Sequence, residues 1–161
     1  MTAEASGGVY NAGVAASEFI AEVIEAMGLR SEVAAEEGEE GTWRVAVDGP
    51  DAGELIGVNG DALNALQYLA TVVAQRRMGE HVRLVLDAND YRRKREQALT
   101  DQALELAAEV ARLGQEAELD PLSAYERRII HNALTDHPDV VTYSEGEEPE
   151  RRVVIAPRPK K

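Results

Sequence analysis

Arg127 and His131 are the residues whose types and spacing most clearly suggest chemistry, because they stand four positions apart in the segment Ala124–Asn132. In a helix this spacing places both side chains on one face. A guanidinium beside a flat imidazole suits a phosphate next to an unstacked base. The alternative is a solvated helix face with an incidental histidine. A helical wheel predicts that the pair lies opposite an apolar arc formed by Leu122, Ile129, Ala133 and Leu134.

The charge distribution restricts where such a ligand could bind. The 161 residues include 30 acidic and 17 basic ones, and the net charge of −13 disfavours a broad attraction of polyanions. Residues 1–60 contain 12 acidic and two basic residues, whereas residues 61–161 contain 18 acidic and 15 basic residues. We therefore expect any nucleic-acid surface to be local and sensitive to salt. The basic clusters are Arg76-Arg77, Arg92-Arg93-Lys94-Arg95, Arg127-Arg128, Arg151-Arg152 and the tail 158–161.

Composition and motif content argue against several other kinds of protein. The chain has no cysteine and only three scattered histidines, so we expect neither a metal nor another cofactor. It contains no phosphate-binding P-loop and no Gly-x-Ser-x-Gly motif, so we do not expect an enzyme. Apolar runs of membrane length and a signal-peptide pattern are also missing from the sequence. These features predict a soluble, cytoplasmic protein without membrane insertion.

The first half of the chain predicts elements in the order α-β-β-α-α-β. Residues 1–13 contain three glycines and little periodicity, and they are predicted to be disordered. An amphipathic helix that ends at Gly28 is followed by two strands and a charged turn at 36–41 between them. A short helical turn at 51–56, a long helix over 61–77 and a third strand at 82–86 complete this half.

A glycine-bracketed loop, Gly57-Val58-Asn59-Gly60, lies between the last two predicted helices. Glycines allow a close backbone approach, and the first amides of the following helix can meet phosphates. Leu55 and Ile56 are predicted to floor an apolar groove for unpaired bases. An aspartate at Gly57 or Gly60 is expected to impair binding without unfolding the domain. Many such loops are only tight turns, but the position between two helices favours a functional interpretation.

The second half is predicted to begin with a linking helix after Asp90. Its first turn carries Arg92-Arg93-Lys94-Arg95, and these cations oppose the helix macrodipole. They are expected either to pair with acids, as Arg92 could with Glu96, or to bind RNA phosphates. The buried seam of the helix is predicted to contain Ala103, Leu106, Val110 and Leu113.

The end of the chain is predicted to contain a strand at 116–119, a helix and a hairpin. Asp120 is predicted to cap this helix, with Pro121 as its first residue. Arg151 and Arg152 should point to opposite sides of their strand, so one is expected on the Arg127–His131 face and the other beside an acid. The hairpin tip is predicted to be solvated and contains Glu145, Glu147, Glu148 and Glu150.

Two segments carry a resemblance to known families. The stretch 54–69, ELIGVNGDALNALQYL, resembles a KH domain of the prokaryotic type II arrangement, whose glycine loop clamps single-stranded nucleotides. The second half resembles the nucleic-acid-binding domain named for its Arg-x-x-x-His motif, here Arg127 and His131. The hairpin 142–155, TYSEGEEPERRVVI, is similar to the end of that domain in the Jag (KhpB, SpoIIIJ-associated) family of bacterial proteins. Together the resemblance covers residues 14–157.

The resemblance implies an α+β fold with a disordered N-terminus at 1–13 and a type II KH domain at 14–88. The linking helix and a small α/β domain with a three-stranded sheet occupy 89–157, and a basic tail follows at 158–161. It implies a single-stranded RNA-binding protein, an RNA chaperone or post-transcriptional regulator that affects bacterial cell elongation and cell-wall homeostasis. The implied protein partner is small and has a single KH domain. The RNA-binding residues are expected to be Ile56, Gly57, Val58, Asn59, Gly60, Arg92, Arg93, Arg127, Arg128, His131, Arg151 and Arg152.

Two other functions remain compatible with the sequence. The first is an acidic protein-interaction adaptor with weak or no RNA binding. Its best argument is that Val58-Asn59 is neutral, whereas KH loops usually carry a basic residue between the glycines. The second is binding of single-stranded DNA, since the Arg-x-x-x-His domain could accept either nucleic acid.

Overall fold

The computed structural model describes residues 9–161 and divides into two compact units, the first ending at Arg92 and the second beginning at Arg93. The predicted disorder of residues 1–8 falls outside the described residues. At residues 12 and 13 the prediction of disorder is wrong, because helix α1 begins at Ala12. Asn11 caps this helix, and its side-chain oxygen accepts a hydrogen bond of 2.9 Å from the Val14 amide.

The first unit is a three-stranded sheet with helices on one face. Its strands have the order β1-β2-β3, with β1 antiparallel and β3 parallel to the central β2. This arrangement confirms the predicted α+β class. The first of the two central helices, however, is only a 3-10 turn at Ala52–Leu55. The regular elements are α1 Ala12–Met27, β1 Glu32–Glu37, β2 Thr42–Asp48, α2 Asp61–Met78 and β3 Arg83–Ala88.

Alternating side chains on β2 place the core of the first unit between the sheet and the helices. Val45 and Val47 are buried on the face that α1 and α2 cover, whereas the intervening Ala46 points to the opposite face. Ile20 of α1 and Leu63 of α2 are fully buried against them. Burial of each such large side chain contributes about 1.5–3 kcal/mol. The apolar periodicity therefore holds α2 against the sheet.

The second unit is a three-stranded antiparallel sheet of order β4-β6-β5 with helices α3 and α4. The predicted helix start at Asp120-Pro121 is wrong: Ser123 is the cap, and its hydroxyl accepts from the Glu126 amide at 3.2 Å. The Leu122 amide instead donates to the Arg151 carbonyl at 3.1 Å, so this stretch stays extended beside β6. The elements are α3 Tyr91–Leu113, β4 Ala117–Glu118, α4 Ala124–Leu134, β5 Val140–Glu145 and β6 Arg152–Pro157.

The buried stripe of α3 differs from the predicted seam at its end. Ala103 and Val110 are buried as expected, but Leu113 is 53% exposed. The stripe instead includes Leu99 and Ala107, which pack with the apolar residues of α4 and the sheet. Among the helices of residues 9–161, none combines the length and apolarity needed to cross a bilayer.

Candidate nucleic-acid interface

The glycines of the loop at 57–60 are required by its backbone. Gly57, Asn59 and Gly60 have φ angles of 71°, 51° and 83°, all in the left-handed region that favours glycine and tolerates asparagine. A Cβ atom at Gly57 would lie 2.6 Å from the Cβ of Ala62, and one at Gly60 would lie 2.9 Å from the Tyr91 ring. The two glycines therefore allow the loop to pack tightly where α2 begins.

The two residues between the glycines are exposed to solvent. Val58 is 76% exposed, and Asn59 is exposed beside the N-terminus of α2. The predicted apolar floor is wrong for Leu55, which is only 3% exposed and belongs to the core, whereas Ile56 is half-buried. Asp61 adds a carboxylate to the first turn of α2. The loop thus presents neutral side chains and helix amides, with one acid close by.

A groove between α2 and β3, called here the α2–β3 groove, was missed by the sequence reasoning. Its volume is about 520 Å³, and its most exposed large side chains are Tyr68 at 69% and Val85 at 40%. The available signal was a polar stripe on α2 at Asn64, Tyr68, Thr71 and Gln75, whose spacing places them on one face. The lining comprises Thr42, Asn64, Gln67, Tyr68, Thr71, Gln75 and residues 81–85.

The edge of β3 that borders this groove is partly occupied by side chains. The Leu86 amide donates to the Gln67 side-chain oxygen at 3.0 Å, and the Gln75 amide group donates to the Val82 carbonyl at 3.3 Å. Backbone groups of alternate residues in a strand point to the same edge. The amide and carbonyl of Leu84, between these two contacts, therefore face the groove.

Arg92 has a structural role instead of the expected contact with RNA or Glu96. Its Nε donates to the Leu86 carbonyl at 2.8 Å, and its Nη atoms donate to Asn64 and Gln67 at 3.0 Å each. These three bonds tie the start of α3 to the β3 edge and to α2. Arg93, by contrast, is exposed.

The prediction that Arg127 faces solvent is wrong. The residue is 7% exposed, and its Nη1 donates to the Leu122 carbonyl at 2.6 Å. Its Nη2 donates to Glu148 at 2.5 Å, so this glutamate is not merely part of a solvated hairpin tip. The wheel misplaced Leu134: Arg127, Ile130 and Leu134 have i, i+3, i+7 spacing and share the buried stripe.

His131 lies on the same inward side and is held by β5. Its Nδ1 is 2.7 Å from the Thr142 hydroxyl oxygen, and its Nε2 is 2.9 Å from that of Ser144. Burial, followed by the nearby charge of Arg127, lowers the pKa of His131 below its usual value. The motif therefore joins α4 to the hairpin, with its histidine favoured in the neutral form.

We expect the second unit to lose stability as the pH falls below about 6.5, the usual histidine pKa. Because the pKa of His131 is lower in the folded state, the unfolded chain binds the proton more readily, and acid favours unfolding. Denaturant titrations at several pH values would measure this, with His131→Gln as the comparison. The variant should lose less stability between about pH 7 and pH 5 than the wild type. Identical pH profiles would contradict the prediction.

The remaining arginines differ in their contacts. Arg128 is exposed and forms no ion pair with any other residue in the described part of the chain. Arg152 lies 3.6 Å from Glu118, which confirms that one of the two strand arginines pairs with an acid. Arg151 donates to the Gly146 carbonyl at 2.6 Å and so closes the hairpin turn, instead of joining Arg127 and His131 as predicted.

Comparison with known proteins assigns a family to each unit. Residues 17–86 match the KhpA/KhpB KH domain, and residues 97–157 match the domain named for the Arg-x-x-x-His motif. The chain is 39% identical over 142 residues to the RNA-binding protein KhpB of Clostridium symbiosum, covering 88% of this chain and 64% of that protein. It is 34% identical over 140 residues to KhpB of Bacillus subtilis, covering 86% and 67%, respectively.

A third relative is matched over a smaller share of its length. KhpB of Lactiplantibacillus plantarum is 43% identical over 106 residues, which are 66% of this chain and 33% of that protein. The chain therefore spans between one third and two thirds of these relatives. The order of the two matched domains agrees with the two units of the structure. This chain belongs to the KhpB, or Jag, family, in which a KH domain is followed by an Arg-x-x-x-His domain.

Proposed function

We propose that this protein binds single-stranded RNA, with the loop at 57–60 and the α2–β3 groove of the first unit as the main site. The observation that carries the proposal is the groove itself, which starts one turn after the loop at Asn64 and follows α2 along an edge strand. The names of the relatives, which are RNA-binding proteins, support the same function.

The lining of the groove has the chemistry that unpaired bases need. The Tyr68 ring is exposed and can stack on a base, which is worth about 1–3 kcal/mol per base. The side-chain amides of Asn64 and Gln75, together with the backbone of Leu84, supply donors and acceptors for base edges. Bases must be unstacked to make these contacts, and this requirement favours a single strand over a duplex.

The exposed loop supplies the expected phosphate contact. Helix amides behind Val58 and Asn59 can donate to a phosphate, and the macrodipole of the 18-residue α2 favours an anion there. From the remaining expected residues we retain Arg93 and Arg128, which are exposed, as candidate phosphate contacts. Arg92, Arg127, His131, Arg151 and Arg152 are committed to contacts within the fold and are not retained.

The biological setting is proposed from the family likeness alone. On that basis this protein acts in the cytoplasm as an RNA chaperone or post-transcriptional regulator of cell elongation and cell-wall homeostasis. A small protein with a single KH domain is its proposed partner.

A titration with fluorescently labelled RNA tests the proposed function. An unstructured RNA of about 12 nucleotides should bind more tightly than a duplex of matched sequence. Affinity should fall between about 50 and 200 mM salt, with a slope of about −0.7 for each phosphate contact. Equal affinity for both ligands would contradict the single-strand preference.

The main alternative is the acidic adaptor, which the neutral exposed pair Val58-Asn59 and the neighbouring Asp61 favour. In that case no RNA would bind even at low salt, where electrostatic attraction is screened least. The same labelled RNA at the lowest salt concentration therefore separates the two functions.

A further inference from the structure

We propose that the outward face of α4 is a second nucleotide site, in which Tyr125 stacks on one unstacked base and Arg128 binds an adjacent phosphate. This inference rests on the proposed RNA binding and adds a contact surface in the second unit. The site lies on the opposite side of α4 from Arg127, whose guanidinium is buried.

The site is a continuous stripe on one helix. Tyr125, Arg128 and Asn132 have i, i+3, i+7 spacing, which places them on the same face of α4. Tyr125 is 63% exposed, and the other two side chains are also exposed. They border a shallow depression of about 370 Å³, whose far side is formed by Glu96 and Thr100 of α3.

The side chains of Tyr125 and Arg128 have no hydrogen-bonded or ionic partner within the part of the chain that the structure describes. Nearby Arg95, in contrast, pairs with Glu126 at 2.9 Å, and Arg127 pairs with Glu148. The fold therefore uses the inward-facing groups of this segment and leaves an aromatic ring and a guanidinium one turn apart in solvent. This combination of a stacking surface and a phosphate-binding cation is typical of single-strand recognition.

The composition of the depression points to one nucleotide as its occupant. Its volume suits a single base with its phosphate, and a duplex would not offer an unstacked base to the Tyr125 ring. Glu96 is acceptor-only when ionised, so it can accept from a base amino group but repels a phosphate. The phosphate is therefore directed to Arg128, and Asn132 remains for the base edge.

Binding measurements on the full chain test the site. With the labelled RNA of about 12 nucleotides, Tyr125→Ala should weaken binding by about tenfold, whereas Tyr125→Phe keeps the stacking ring and should change it by less than about twofold. Arg128→Ala should weaken binding and reduce the salt slope by about 0.7. Arg112→Ala removes another exposed arginine, from α3, and serves as the matched charge control with an effect below about twofold.

Photocrosslinking gives an independent measurement. RNA containing 4-thiouridine should form an adduct within residues 124–134, identified by mass spectrometry, and the adduct should be lost in Tyr125→Ala. Unchanged affinity of Tyr125→Ala together with no adduct in α4 would overturn the second site. If Tyr68→Ala still weakened binding in that case, the proposed RNA binding through the first unit would stand. A wild-type chain that binds no RNA at low salt would overturn both proposals.

Discussion

Replacement of Arg127 with alanine is expected to destabilise the second unit by about 2–3 kcal/mol. The guanidinium is buried and satisfies the Leu122 carbonyl, which would lose its partner. Packing around the side-chain stem would also be lost, because long cationic side chains contribute apolar contacts. Glu148 contributes less, since its side chain is 57% exposed and can return to water.

The neighbouring arginine provides the matched control. Arg128→Ala also removes one guanidinium from α4, but from an exposed position, so we expect a change within about 0.5 kcal/mol. Denaturant unfolding gives the two free energies, and amide hydrogen exchange in β5 and β6 localises the change to the second unit. Equal effects of the two substitutions would show that the buried contacts of Arg127 contribute little.

Replacement of Gly57 with aspartate is expected to destabilise the first unit by about 3 kcal/mol, contrary to the sequence-based expectation of an intact fold. A left-handed backbone costs a non-glycine residue about 1–2 kcal/mol, and an overpacked contact costs about 1–3 kcal/mol. Both penalties apply, because φ is 71° and the new Cβ would lie 2.6 Å from that of Ala62. Thermal unfolding followed by Trp43 fluorescence would measure the loss.

Asn59→Asp separates charge from strain in the same loop. Asn59 is exposed with φ at 51°, a conformation that aspartate also tolerates. This variant should unfold like the wild type while binding the labelled RNA more weakly, because its carboxylate repels phosphate. Unchanged affinity would indicate that the loop is only a turn, and the groove alone would then carry the first site.

The sequence predicted the elements well where periodicity decided the answer. The glycine that ends α1, the three strands of the first sheet and the α+β class follow from alternation and helix-breaking residues such as Gly28. Burial of Arg127 was also readable, since Ile130 and Leu134 stand three and seven positions later. The error was to place Leu134 on the wrong side of the wheel.

Other features depend on contacts between residues distant in sequence. The partner of Arg127 is 21 positions away, and Arg92 reaches 28 positions back to Asn64. No local pattern encodes which donor meets which acceptor over such separations. The α2–β3 groove has the same origin, because it exists only once β3 has docked as the outer strand beside α2.

The side chains along β3 have a consequence for aggregation. An exposed sheet edge presents free backbone groups and is a template for pairing with strands of other molecules. Here Gln75, Gln67 and Arg92 occupy the Val82 carbonyl and both backbone groups of Leu86. The stretch between them, centred on Leu84, is too short for a foreign strand to form a ladder. The protein thereby keeps an accessible edge in dilute solution and at high concentration without offering it for self-association.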